Sequence, residues 1–176
     1  MNMTSYTQRL KGALKLKKEV FEEVEANPEL AGQALLTVAL ASLCFGIGGG
    51  ITNPFYLVLQ IVSASLGWLL WVYITHWIGT HWWAESDTRC SFKELMRTTG
   101  FAFAPGLFQV FALLPLMEFP VRVGVGIWTL FAFVIAVRQA LDYKSTARAF
   151  GVCAVGWIAM QTITLIVSGL LGGPGV

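Results

Sequence analysis

The chain alternates long apolar stretches with short charged ones. Asp, Glu, Lys and Arg are absent from four stretches, which are residues 30–84, 98–117, 123–137 and 149–176. A helix needs about 20 mostly apolar residues to cross the roughly 30 Å hydrocarbon core of a bilayer. The first stretch is long enough for two crossings. This pattern therefore predicts an integral membrane protein with several spans.

Turn signals divide the apolar stretches into five helices. Clustered glycines before Asn53-Pro54 break the first stretch, and a second Asn-Pro pair, Asn27-Pro28, precedes it. Pro115 and the charged segment 118–122 divide the next two. We predict an all-α bundle of five transmembrane helices, forming a domain over residues 27–176. The expected helices cover residues 28–47, 54–80, 92–116, 120–139 and 146–171.

A soluble arm, residues 1–26, is predicted to precede the bundle. Between residues 4 and 26 the apolar residues recur at helical spacing, which is typical of an amphipathic helix. Its polar side is basic over residues 9–18 and acidic over residues 19–25. We expect this helix to lie along the cytoplasmic face of the membrane. It would either anchor the first span or dock a cytoplasmic partner, and its basic half would attract anionic headgroups.

The basic residues fix the expected orientation. With five spans, only Arg122 of the twelve Lys and Arg residues falls on one side of the membrane. Basic loops remain in the cytoplasm, so the N-terminus is predicted inside and the C-terminus outside the inner membrane. The other eleven are Arg9, Lys11, Lys15, Lys17, Lys18, Arg89, Lys93, Arg97, Arg138, Lys144 and Arg148.

Composition narrows the function classes. Apolar residues make up 56% of the chain, which leaves no room for a water-soluble core of ordinary size. The net charge of +2 is too small to indicate a nucleic-acid partner. Cys44, Cys90 and Cys153 show no CxxC spacing, so we expect unpaired thiols, two in spans and one in a cytoplasmic loop.

Polar residues inside predicted spans are the first places to look for function. His76 is a weak candidate cofactor ligand, although a hydrogen-bonded role is favoured. His81 lies five residues on, so the two cannot share a metal as an i,i+4 pair would. The glutamines Gln60, Gln109 and Gln161 are expected to join helices by hydrogen bonds.

Helix shape gives two further expectations. Pro105 lies within the third predicted span and should kink it near Phe101, either as a fixed bend or as a broken helix lining a site. Small residues predict close helix packing in the second, fourth and fifth spans. These residues are Ser63, Gly67, Gly124, Gly126, Gly151 and Gly156.

No recognisable catalytic, nucleotide-binding or metal-binding motif occurs in the chain, so we predict a protein that is not an enzyme and has no cofactor or metal. The leading hypothesis is a membrane scaffold or interaction subunit. Its partners would be membrane lipids and other membrane subunits or a second copy, with no nucleic acid or soluble small-molecule substrate. Two alternatives remain open: an accessory subunit of a redox or photosynthetic complex, and a small transporter or channel.

A succession of short segments runs along nearly the whole chain in a fixed order. The segments are residues 10–14, 21–24, 27–28, 32–35, 91–95, 99–105, 127–128, 136–143 and 147–150. This succession resembles the Yip family of Ypt-interacting-protein-like membrane proteins, in its prokaryotic branch. The resemblance implies a five-helix membrane domain with a cytoplasmic N-terminus. Eukaryotic members are linked to vesicle trafficking and bind prenylated Rab-type GTPases, and no catalytic residue carries over.

Overall fold

A computed structural model describes residues 5–86 and 88–170 of the chain, and it contains no strand in those residues. Seven α-helices follow one another, with a 3₁₀ segment at Pro28–Leu30, a π-helical extension of α4 at Ile78–Trp82 and a second 3₁₀ segment at Ala104–Leu113. The predicted all-α class is therefore confirmed for this part of the chain. The α-helices are α1 (Tyr6–Leu14), α2 (Lys18–Ala26), α3 (Ala31–Gly48), α4 (Pro54–Trp77), α5 (Phe92–Ala102), α6 (Glu118–Ala140) and α7 (Thr146–Leu170).

Local capping explains where several helical segments begin. The side chain of Asn27 accepts a hydrogen bond from the Glu29 N–H at 3.1 Å, and that of Asn53 accepts one from the Phe55 N–H at 2.9 Å. In each case the following proline occupies the first turn, where its missing N–H costs nothing. The role predicted for the two Asn-Pro pairs is confirmed.

The predicted third helix is interrupted. A kinked helix was expected over residues 92–116, but α5 ends at Ala102 and the chain continues as a 3₁₀ helix to Leu113. Pro105 has no N–H to donate to the carbonyl four residues earlier, so the α-helical bonding cannot continue there. Gly106 then bonds from its N–H to the Phe103 carbonyl at 2.8 Å, the shorter 3₁₀ spacing.

The N-terminal arm is also divided, into α1 and α2, where one amphipathic helix was expected. Leu16 adopts a left-handed conformation with φ of 56°. The Lys17 N–H donates to the Gly12 carbonyl and the Leu16 N–H to the Ala13 carbonyl, both at 3.0 Å. This is the Schellman arrangement that ends a helix. It is usually signalled by glycine, and here leucine takes that place.

Three segments in the described residues are long and apolar enough to cross a membrane: Pro28–Gly48, Pro54–Trp82 and Glu118–Ala140. Large apolar side chains remain exposed along them, for example Leu66 and Phe119 at 63% and 77%. Contiguous apolar surface of this kind is rare on soluble monomers and indicates contact with lipid or protein.

Two clusters of buried side chains hold the bundle together. One joins α4, α5, α6 and α7 around Trp68, Leu95, Val137 and Leu141. The other fixes the arm, because Phe21 and its neighbours in α2 pack against Phe101 of α5 and small residues of α6. The apolar side of the arm is thus covered by protein. The sequence predicts that this side lies on the membrane surface, but in the structure it packs against the bundle and is not available to lipid.

Candidate functional site

Arg97 secures the arm to the bundle. Its side chain is 5% exposed, and its Nε donates to the Val24 carbonyl at 3.0 Å. A terminal nitrogen donates to the Glu25 carbonyl. These are carbonyls of the last turn of α2, where the helix dipole favours a positive charge. The residue was assigned by sequence to a basic cytoplasmic patch, and its buried capping role was not foreseen.

A second buried cation lies within the arm itself. Arg9 and Glu23 form an ion pair at 3.0 Å, with side chains only 10% and 12% exposed. Arg9 also donates to the side-chain oxygen of Gln33 at 3.2 Å, which connects α1 and α2 to α3. Such a shielded, hydrogen-bonded pair is screened less by salt than a surface pair. The side chain of Arg9 therefore stabilises the packing of α1, α2 and α3.

The end of α1 lies beside the middle of α6. The indole N–H of Trp128 donates to the Leu14 carbonyl at 3.1 Å, and Tyr6 and Thr37 share a hydroxyl hydrogen bond at 3.1 Å. Trp128 is ten residues from the start of α6, or about 15 Å at 1.5 Å per residue. The arm is consequently seated against the side of the bundle.

The docked arm presents its lysines outward. Lys11, Lys15, Lys17 and Lys18 are all exposed, whereas the two arginines of this region hold carbonyl and carboxylate groups. Lysine is a compact, strongly hydrated charge on a flexible stem, suited to anionic headgroups or acidic protein surfaces. These four residues, the lysine face, form one candidate interaction surface.

Glu25 introduces a pH-sensitive group at the same junction. Burial raises the pKa of its carboxyl group from 4.5 to about 7, and the negative charges of Asp142, Glu94 and Glu22 add to this effect. The guanidinium of Arg97 acts in the opposite direction and is too weak to cancel it. Glu25 therefore changes charge near neutral pH.

The structure places His76 in a hydrogen bond. Its Nε2 donates to the Cys90 carbonyl at 2.8 Å, tying α4 to the segment before α5. His81 stacks on Trp77 with ring centroids 5.5 Å apart. Within residues 5–86 and 88–170, no group of three His, Cys, Asp or Glu side chains is arranged to hold a metal ion. Cofactor ligation by His76 stays a hypothesis.

The three cysteines are unpaired thiols. Cys44 lies in α3 and Cys153 in α7, and Cys90 lies between the π-helical extension and α5. Burial, followed by the nearby Glu94 carboxylate, raises the pKa of Cys90 to about 12. A thiol with so high a pKa is a poor nucleophile at neutral pH, because thiolate is the reactive form.

Two glutamines meet at a cavity of about 430 Å³, which we call the glutamine cavity. Gln60 of α4 and Gln109 of the 3₁₀ segment line it, together with Ser42 and Thr129. Among the described residues, none of these four side chains has a hydrogen-bond partner, so the predicted interhelical bonds of Gln60 and Gln109 are wrong. Gln109 and Ser42 are 7% and 5% exposed.

A second, more apolar cavity of about 620 Å³ adjoins the first, and we call it the tryptophan cavity. Trp68, Trp71 and Trp157 line it, and Gln161 lies on its wall, where its side chain likewise has no described hydrogen bond. The two cavities share five lining residues, so they lie side by side in the bundle. The shared residues are Ala64, Phe103, Leu130, Phe133 and Trp157.

The break between α5 and the 3₁₀ segment shapes the wall that the two cavities share. Phe103 stands at the junction of α5 and the 3₁₀ segment, with its ring 4.9 Å from Phe133 and 6.3 Å from Trp68. An uninterrupted α-helix would direct the following side chains elsewhere, because 3₁₀ and α geometries turn at different rates. The sequence signal that could have located the site is therefore Pro105 combined with Gln109.

Comparison with known protein families gives one match. The model of the Yip1 domain matches residues 11–170, which is most of the chain and includes the bundle and the arm from residue 11 onwards. No curated protein and no solved structure matches. The apolar helices and this match agree on a membrane protein. The chain belongs to the Yip1 domain family.

Proposed function

We propose that this Yip-family chain is a non-enzymatic, multi-pass membrane protein that acts as a scaffold or interaction subunit. The observation that supports the proposal best is the docked arm. Arg97 and the Arg9–Glu23 pair hold α1 and α2 in a fixed pose, while the lysine face points away from the bundle. A surface held rigid in advance loses less entropy on binding a partner.

In this proposal five segments cross the inner membrane, with the N-terminus in the cytoplasm and the C-terminus outside. Two segments complement the three long apolar ones: α5 with its 3₁₀ continuation, and α7. The 3₁₀ geometry lengthens the first of these, since it rises about 2.0 Å per residue. Its 10 residues then add about 20 Å to α5.

Photo-cross-linking from the lysine face tests the scaffold role. A photoreactive amino acid at Lys15, introduced into the full chain in native membranes, is expected to give a discrete, stoichiometric adduct with a membrane protein. Lys93 provides the matched control, because it is an equally exposed lysine outside the arm. The adduct should be lost when Lys11 and Lys18 are both changed to Glu.

Two results would oppose the proposal. Equal cross-linking from Lys15 and Lys93 would indicate random collision. A purified chain that stays monomeric in mild detergent, with no adduct at either position, would leave the scaffold role without support.

A further inference from the structure

We propose that the glutamine and tryptophan cavities form one binding site for a single-chain lipid with an uncharged polar end, of the monoacylglycerol class. The amides of Gln60 and Gln109 would bind its hydroxyl and ester groups, and its hydrocarbon chain would extend past Phe103 into the tryptophan cavity. This site is separate from the lysine face, and its test does not depend on the scaffold role.

Unsatisfied polar groups point to a ligand in the glutamine cavity. Buried amides and hydroxyls nearly always have a hydrogen-bond partner, because a buried polar group without one is unfavourable. Gln109 and Ser42 are 7% and 5% exposed and line the cavity, and neither side chain makes a hydrogen bond within the described residues. The fully enclosed side-chain atoms without a hydrogen-bond partner in that part of the chain are Thr75 Oγ1 and Arg122 Nε, so the polar atoms of Gln109 and Ser42 have open space beside them. In a bilayer, water is scarce and cannot readily replace that partner.

The charge of the lining indicates which polar end fits. No Asp, Glu, Lys or Arg lines either cavity. Arg122 lies over the ring of Phe45, a lining residue, with 5.5 Å between the guanidinium carbon and the ring centroid. Arg122 is already paired with Glu118 at 3.2 Å. A carboxylate or phosphate would thus be buried without a counter-charge, which is costly, whereas hydroxyl and ester groups are not penalised in this way.

The shape of the space favours a single chain. Volumes of about 430 and 620 Å³ fall within the range of small-molecule sites. The aromatic residues Phe103, Phe133 and Trp157 line both cavities, where a hydrocarbon chain could pack against their rings. Gln60 also lines a neighbouring groove, together with residues 50–53 just before α4. In this proposal the polar end of the lipid lies towards that groove.

Tryptophan quenching by a brominated lipid tests the site directly. The probe is 1-(dibromostearoyl)glycerol, added to the purified full chain in detergent. Because three tryptophans line the cavity, we expect saturable quenching of their fluorescence. Brominated stearic acid, ionised at pH 9, should not saturate at the same concentration.

Two pairs of variants locate the bound lipid. Gln109→Leu removes an amide that the lipid would use, and should weaken binding about threefold to tenfold. Gly126→Leu places a side chain in the glutamine cavity and should abolish saturable quenching. Gly124→Leu is the matched control, since both glycines face open space but Gly124 does not line a cavity.

The proposal is overturned if quenching does not saturate, because the cavity would then contain only solvent or bulk detergent. It is also overturned if Gly126→Leu and Gly124→Leu bind the probe equally, or if the ionised fatty acid binds as well as the neutral lipid. Gln60→Leu provides a second polar variant should Gln109→Leu fail to fold.

Discussion

Some basic residues of this protein have structural roles that their positions in the sequence do not reveal. Arg97 and Arg138 read as loop charges that orient the chain. In the structure Arg97 caps α2, and Arg138 donates to the carbonyls of Tyr143 and Lys144 at 3.2 Å. Basic residues that the sequence assigns to loops can therefore also satisfy backbone carbonyl groups.

Arg97→Gln tests the capping role. Loss of charged hydrogen bonds to two carbonyls should weaken docking of the arm by about 1.5–3 kcal/mol, because such bonds are stronger than neutral ones. Amide hydrogen exchange of α2 at one pH measures the change. Lys93→Gln, an exposed change on the same helix, should leave exchange unaltered; equal exchange in both variants would contradict the assignment.

Glu25 predicts a pH dependence of arm docking. Its pKa is about 7 in the folded chain against 4.5 when unperturbed, so the folded state holds the proton more tightly. This contribution to stability is complete below about pH 4.5 and is lost as the pH rises through 7. The charged groups facing it are Asp142, Glu94, Arg97 and Glu22.

Spin labels at Thr7 and Phe55, both exposed, would measure that docking. We expect their distance distribution to broaden between pH 5 and pH 8 in the otherwise unchanged chain. Glu25→Gln should remain narrow at both values, because the amide cannot ionise. Glu19→Gln, an exposed change in the same helix, should keep the broadening; a pH-independent distribution in the unmodified arm would refute the prediction.

At the scale of elements, the apolar pattern located the helical segments well. Each of the five predicted ranges contains a helical segment, and the two Asn-Pro pairs begin segments through their side chains. The pattern fails where long-range contacts decide the geometry. Leu16 ends α1 in a conformation that glycine usually adopts, and nothing local marks it. The cavity polar groups come from four separate segments, so spacing along the chain cannot group them.

The glycines at which helices pack closely were likewise only partly predictable from the sequence. Gly156 was expected to permit close packing, and a Cβ there would lie 2.5 Å from the Thr75 hydroxyl of α4. Gly124 and Gly126 were expected to do the same, yet both face open space. Among the described glycines the closest approach occurs at Gly48, one of the clustered glycines before Asn53-Pro54, which were expected to break the helix and not to permit close packing. A Cβ there would lie 2.0 Å from the Gln109 carbonyl oxygen.

Gly48→Ala should therefore destabilise the bundle. The added methyl group would push α3 away from the 3₁₀ segment, and overpacking of this kind costs about 1–3 kcal/mol. The midpoint of thermal unfolding in detergent should fall. Gly124→Ala, with open space around it, should leave the midpoint unchanged or raise it, since alanine favours helix. A fall of equal size in both variants would argue against close packing at Gly48.

For the whole molecule, the proposed orientation can be tested by chemical labelling. Single cysteines at Lys11 and Thr52, both exposed, would be introduced into a chain in which Cys44, Cys90 and Cys153 are serine. In spheroplasts, a membrane-impermeant maleimide should label position 52 only. Position 11 should react after the membrane is opened. Labelling of position 11 in sealed spheroplasts would contradict the proposed orientation and indicate the opposite one.

The seating of the arm has a mechanical consequence for the bilayer. The turn between α1 and α2 lies about 15 Å from the outer end of α6, which is half the thickness of a typical hydrocarbon core. In the proposed orientation this turn belongs to the cytoplasmic side of the protein. The ammonium groups of Lys15, Lys17 and Lys18 can then reach cytoplasmic water only if their side chains extend and the cytoplasmic leaflet becomes thinner around them. The protein would then thin the membrane on one flank alone. Hydrophobic mismatch on one side of the protein deforms the bilayer, which has an elastic cost. This cost decreases when the protein lies in a thin or curved region of the membrane, or when two neighbouring proteins share one thinned region.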